Sequence, residues 1–132
     1  MKITKEAVDV LKGARDILSG FNAWTRGTYA RNNKGEDVSL NDPQACRFCA
    51  DGALRKAAGV NEYTMYPYLS PAYRQAREIL EGVMADGFCE EIPDVNDKST
   101  TKHQHVLMSY DLAILQAEDM LKAQQRKAKA KK

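Results

Sequence analysis

Between Cys46 and Leu54 the chain reads Cys-Arg-Phe-Cys-Ala-Asp-Gly-Ala-Leu, and Gly52 within it narrows the choice of fold more than any other residue. The run has the small and apolar content of a packed helix. Glycine inside a helix costs about 1 kcal/mol relative to alanine. A helix that keeps one is expected to have another backbone, or a ligand, lying very close to it. The segment is therefore the expected hub of the fold and the first place to look for a site.

The flanking signals set its extent. Asp42-Pro43 reads as a helix cap followed by proline at the first helical position, and Gly59 as a stop. A helix over 43–58 is predicted, with Cys46, Cys49 or Ala50, Ala53 and Ala57 on one small-residue face. Three further helices follow from apolar spacing. The first covers 4–19, with Thr4 as cap. The next runs from Ser70-Pro71 to Asp86-Gly87. The last opens near Thr101, where Thr101 and Gln104 match a capping box. Between the first two helices, Trp24–Ala30 and Val38–Leu40 flank the turn signal Asn32-Asn33-Lys34-Gly35 and predict a short β-hairpin. Residues 88–100 read as an acidic loop. Residues 60–69 have no period but hold Tyr63, Tyr66 and Tyr68.

The expected fold is mainly α, a compact bundle of about four helices with one short β-hairpin and the 43–58 helix in the middle; α+β is the alternative. At 132 residues the chain makes one domain able to bury a core without disulfides or metal. No stretch approaches the roughly 18 apolar residues that span a bilayer. The N-terminus lacks the apolar block of a signal peptide. Three cysteines, an odd number, point to reduced thiols and a cytoplasmic setting.

Charge divides the chain. Residues 1–121 hold 14 basic and 18 acidic side chains, whereas Lys122–Lys132 holds six cations and no acid. A globular domain over 1–121 with a frayed or disordered basic tail over 122–132 is expected. Cations at a helix end suit its dipole; salt-sensitive attraction of the tail to nucleic acid is the functional alternative.

Several constellations carry chemistry in principle. Cys46, Cys49, Cys89 and His103, with His105 in reserve, are a zinc-type donor set. Their placement on a helix face, rather than a tight turn, favours buried free thiols instead. A redox reading of Cys46-x-x-Cys49 lacks the surrounding parallel-sheet pattern. Cys49 or Cys46 with His105 or His103, oriented by Asp97 or Asn96, has the parts of a nucleophile site. No oxyanion-hole sequence accompanies either cysteine. Asn96-Asp97 before a helix start reads as a turn that satisfies free N–H groups. With Lys98, Thr100, Thr101 and His105 it reads instead as an anion site. Trp24, Arg26 and Tyr29, with the loop tyrosines, are candidates for ligand stacking or a protein interface.

In order along the chain, Trp24 with Gly27, then Gly35, Cys49-Ala50-Asp51-Gly52-Ala53-Leu54, Val95-Asn96-Asp97, His105-Val106 and Asp111-Leu112-Ala113-Ile114 resemble domain-of-unknown-function family 6197. This is an uncharacterised family of actinobacterial and phage genomes, and the resemblance spans roughly residues 20–118. Val95 stands where the family tends to carry Trp before Asn-Asp. The resemblance implies a small helical domain and a phage or mobile-element context, but no activity. The function expected is that of a non-catalytic accessory protein without cofactor. It would bind a host protein or a small anionic, nucleotide-like ligand through Trp24, Arg26, Asn96, Asp97 and His105, with homo-oligomers an added option. The enzyme alternative rests on Cys49, His105 and Asp97.

Overall fold

The computed structural model describes residues 2–65, 68–85 and 90–130. The expected close of the third helix at Asp86-Gly87, and Tyr66, Cys89, Lys131 and Lys132, lie outside the described residues.

Helix α1 (Lys5–Leu18) starts where Thr4 accepts a hydrogen bond from the Ala7 amide. Ala7, Val10, Leu11, Ala14 and Leu18, recurring at three- to four-residue spacing along one face, are buried together with Val8. The chain then turns through Trp24 into strand β1 (Ala30–Arg31). The Asn32–Gly35 turn forms as expected: Asn32 Oδ1 accepts from the Lys34 and Glu36 amides. The Val38 amide returns to the Ala30 carbonyl at 3.1 Å. The regular partner of β1, however, is β2 (Arg47–Phe48), antiparallel in the register Ala30 to Phe48 and Arg31 to Arg47.

That pairing corrects the predicted 43–58 helix. Asp42 accepts from the Gln44 amide through its side chain and from the Ala45 amide through its carbonyl, which makes a turn. Residues 47–48 are strand, and α2 spans only Ala50–Ala58. Aspartate followed by proline starts a turn as readily as a helix, and cross-strand hydrogen bonds to Tyr29 and Arg31 decide between them. Cys49 is thus the cap of α2, its Sγ accepting from the Gly52 amide at 3.1 Å. The shared face expected for Cys46, Cys49 and Ala53 does not form, since Cys46 precedes the strand and is exposed. Gly59, at φ +73°, ends the helix as predicted.

Helix α3 (Pro71–Met84) is capped by Ser70 and buries Tyr73, Ala76, Ile79 and Leu80. The 88–100 stretch is not all loop, because α4 (Ile92–Asn96) forms within it. The last helix, α5 (His103–Ala130), buries Val106, Tyr110, Ala113 and Ala117. Thr101 does not build the predicted capping box: its hydroxyl donates to the Val95 carbonyl at 2.7 Å. Past Leu121 the chain stays helical through Ala130. The start of the basic segment is also tied down, where Gln124 exchanges two hydrogen bonds with the Ile3 backbone at 2.6 and 2.8 Å.

Among the described residues the architecture is therefore mainly α, five helices with a small two-stranded antiparallel sheet. Helix α2 packs on α1, α3 and α4, while α1 also meets α3 and α5, so the two share the centre. The close approach demanded by Gly52 is to the hairpin. A Cβ there would overlap the Tyr29 carbonyl oxygen and lie 3.3 Å from Cys49 Sγ. No helix among the described residues is long and apolar enough to cross a membrane.

Candidate functional site

The motifs that stand far apart in sequence meet at the start of α2. Asn96, fully buried, sits at their centre. Its Oδ1 accepts from Trp24 Nε1 at 2.7 Å and from the Ala50 amide at 2.9 Å. Its Nδ2 donates to the Thr25 carbonyl at 3.1 Å and to Asp97 Oδ1 at 3.0 Å. Asp97 Oδ1 also accepts from the Gly27 amide. Tyr110, buried on α5, donates to the Ala50 carbonyl at 2.7 Å. The Asn96-Asp97 turn thus satisfies free amides as one sequence reading expects, but at α2 rather than at α5. Four donors and acceptors of the Asn96 amide are used within the protein.

This junction uses the residues of the Trp-Gly, Cys-Ala-Asp-Gly-Ala-Leu and Asn-Asp motifs together, and the family model matches residues 2–116. The chain belongs to the Family of unknown function (DUF6197). No curated protein and no solved structure matches it.

The remaining predicted site residues of this DUF6197 member are dispersed. Arg26 lies 4.7 Å over the Trp24 ring and donates to the Thr101 carbonyl. His103 also stacks on that indole, with ring centroids 6.1 Å apart, and its Nε2 lies 2.6 Å from the Leu18 carbonyl. His105 Nδ1 accepts from the Lys102 amide, and His105 lines a separate cleft of about 320 Å³ with Val95, Thr100 and Thr101. Lys98 binds Glu90 at 3.0 Å. The anion site expected around Lys98, Thr101 and His105 therefore has its donors engaged elsewhere.

Cys49 and Asp97 do come together. With Gly27, Thr28, Tyr29 and Pro93 they line a cleft of about 220 Å³, below the roughly 300 Å³ at which small-molecule pockets begin. Burial pushes the Cys49 thiol up from 9.0 to about 12, against the Gly52 hydrogen bond that lowers it. Such a thiol stays protonated at neutral pH and is a poor nucleophile. His105 lies in the other cleft, so the expected Cys49–His105–Asp97 arrangement is not assembled. Among the described residues no three His, Cys, Asp or Glu side chains are placed to hold a metal.

Sequence reasoning missed a second, charged network. Asp51, 1% exposed, accepts from Tyr73 Oη at 2.6 Å and from Arg55 Nε at 3.1 Å. The Arg55 guanidinium lies between the Tyr29 and Tyr73 rings, 5.4 and 5.2 Å from their centroids. Burial opposes the Arg55 charge, but Tyr73 and Asp51 outweigh it and raise its pKa. Burial and the Asp51 carboxylate together raise the Tyr73 phenol. Arg55 Nη1 then donates to the Asn61 and Thr64 carbonyls at 2.9 and 3.3 Å, so the network holds up the loop beyond α2. An Asp and an Arg four apart read as a solvated helix pair; only the apolar residues around them hinted at burial.

On that loop Tyr63, Met65 and Tyr68 are 79, 72 and 82% exposed. Asn61 Oδ1 closes its turn by accepting from the Tyr63 amide and the Thr64 hydroxyl. Glu62 secures the opposite side, accepting from Ser39 Oγ at 2.7 Å and the Leu40 amide at 3.2 Å. Burial alone would raise the Glu62 carboxyl, yet these hydrogen bonds and the Arg55 charge hold it below its usual range.

Proposed function

We propose that this protein is a non-catalytic accessory module that docks on another protein through the loop carrying Tyr63, Met65 and Tyr68. The observation that carries the reading is a pinned loop with outward aromatic side chains. Its 61–64 turn is fixed by Arg55, Asn61 and Glu62, while Tyr63, Met65 and Tyr68 face solvent. Aromatic and Met side chains are the types enriched in protein interfaces. Ordering them before contact lowers the entropy cost of binding.

The small anionic ligand is the weaker reading. The cleft beside Cys49 is small and carries the Asp97 carboxylate, and Arg26 is turned away to Trp24 and Thr101. The enzyme reading is weakened by the protonated Cys49 thiol and the remote His105. The family resemblance suggests that the partner is a host protein of a phage or mobile element. Free cysteines, one of them exposed, fit a cytoplasmic setting.

The test is site-specific photocrosslinking in cells that naturally carry the gene. A photoreactive residue at position 63 is expected to give one discrete protein adduct, with none from a control at position 34. The Tyr68→Ser/Met65→Ser background is expected to abolish that adduct without moving the unfolding midpoint, whereas Cys49→Ser leaves it. Absence of an adduct from position 63, or an adduct that survives the double substitution, refutes the proposal.

A further inference from the structure

We propose that the cationic end of α5, Lys122 to Lys129, is an arm that binds the phosphates of double-stranded DNA. Helix α5 has 28 residues, about 42 Å at 1.5 Å per residue. Its buried positions stop at Ala117, Gln124 makes a tie to Ile3, and residues 125–130 are all exposed. Beyond Gln124 the arm is thus a helix with water on every side.

Its charge is uncompensated. Lys122, Arg126 and Lys129 recur four and three apart on one stripe, with Lys127 more than a third of a turn round. No acid follows Asp119 in the chain. Two acids earlier on α5 are spent on α1: Asp111 binds Arg15 at 2.9 Å and Glu118 binds Lys12 at 3.2 Å. The arm's cations make no ion pair among the described residues. Like charges at these spacings repel along a helix, and a polyanion relieves that repulsion.

The sequence of the arm selects among polyanions. Insertion into a lipid surface calls for bulky apolar residues, and after Leu121 the apolar residues are alanines only. Single strands are held by stacking on aromatic rings, and no aromatic residue follows the buried Tyr110. The deep, narrow major groove of an RNA duplex excludes side chains, whereas that of B-DNA admits a helix. With lysines rather than a base-reading set, binding is to phosphate and independent of sequence. The acidic body keeps it to the arm.

The experiment is anisotropy of a labelled 20-base-pair duplex titrated with the full chain at several salt concentrations. Parallel titrations use a single strand of the same length, an RNA duplex and phosphatidylserine vesicles. We expect duplex DNA to be preferred, with log K falling against log salt at a slope of about −4, near −0.9 per phosphate neutralised. The Lys122→Gln/Arg126→Gln/Lys127→Gln/Lys129→Gln variant is expected to lose at least about 30-fold in affinity at low salt and most of that slope. Its helix content and unfolding midpoint stay unchanged, and so does the crosslink from position 63. No duplex binding at 50 mM salt, equal binding by the variant, a salt-independent affinity, or preference for vesicles, RNA or single strands overturns the proposal.

Discussion

Two polar networks are built on α2, and they differ in what they hold. At its start, the neutral Asn96 amide joins Trp24, Thr25, Ala50 and Asp97, and every bond runs between parts of the scaffold. One residue further on, the Asp51–Arg55–Tyr73 set uses buried charge, and its outermost bonds reach the carbonyls of an exposed loop. The first network closes on itself and explains why three separated motifs occur together. The second transmits order from the core to Tyr63 and Met65 at the surface. Polar residues brought together by folding need not form a site; the direction in which their last hydrogen bonds point is the better guide.

Breaking the charged network should have the largest effect. Asp51→Ala leaves Arg55 buried without its carboxylate and is expected to cost about 3–5 kcal/mol, measured by urea unfolding. Asp51→Leu with Arg55→Met is expected to recover much of that loss, yet to leave the 61–64 turn exchanging its amides faster. Recovery of stability with full amide protection would show that Arg55 does not carry the loop. Gly52→Ala, set between the networks, forces a methyl into the Tyr29 carbonyl. A loss of about 3 kcal/mol is expected from such overpacking, and a neutral result would remove the close-approach account of the motif. Asn96→Ala orphans the Ala50 amide and Trp24 Nε1, for about 2–3 kcal/mol, with a shift in Trp24 fluorescence and no effect on the 61–64 amides.

The smallest effect concerns pH. The folded protein binds the Cys49 proton more tightly than the unfolded chain does. That contribution to stability is full below pH 9.0 and is lost as pH rises toward about 12. Tyr29, Tyr73 and Tyr110, each raised first by burial, act in the same direction. Cys49→Ser should therefore flatten the alkaline fall in unfolding midpoint only in part. An unchanged alkaline limb would mean that the thiol is not held protonated.

Much of the scaffold was legible because its signals are local. Thr4, Ser70-Pro71 and Gly59 mark helix ends through hydrogen bonds made within a few residues. Gly52 announced a close backbone because nothing else offsets its cost in a helix. The failures share the opposite property. Arg47 and Phe48 are strand because of residues 30 and 31, and Asp42-Pro43 carries the same signal for a turn as for a helix. Helix α4 is five residues long, too short for a period to show. Trp24 and Asn96 were grouped in the sequence as binding residues, and they do meet beside α2, though as partners of each other. The Asp51–Arg55 pair was not singled out, since its spacing is that of a solvated helix surface.

The tie between Ile3 and Gln124 joins residues 121 positions apart in the chain. Two hydrogen bonds there hold the backbone before α1 against Gln124 of α5 and nearly close the packed core into a ring. Such a ring tolerates being cut elsewhere and rejoined. A short Gly-Ser linker from residue 125 to residue 2, with new termini at the exposed Asn33–Lys34 turn, should give a circular permutant that keeps the same core without the cationic arm.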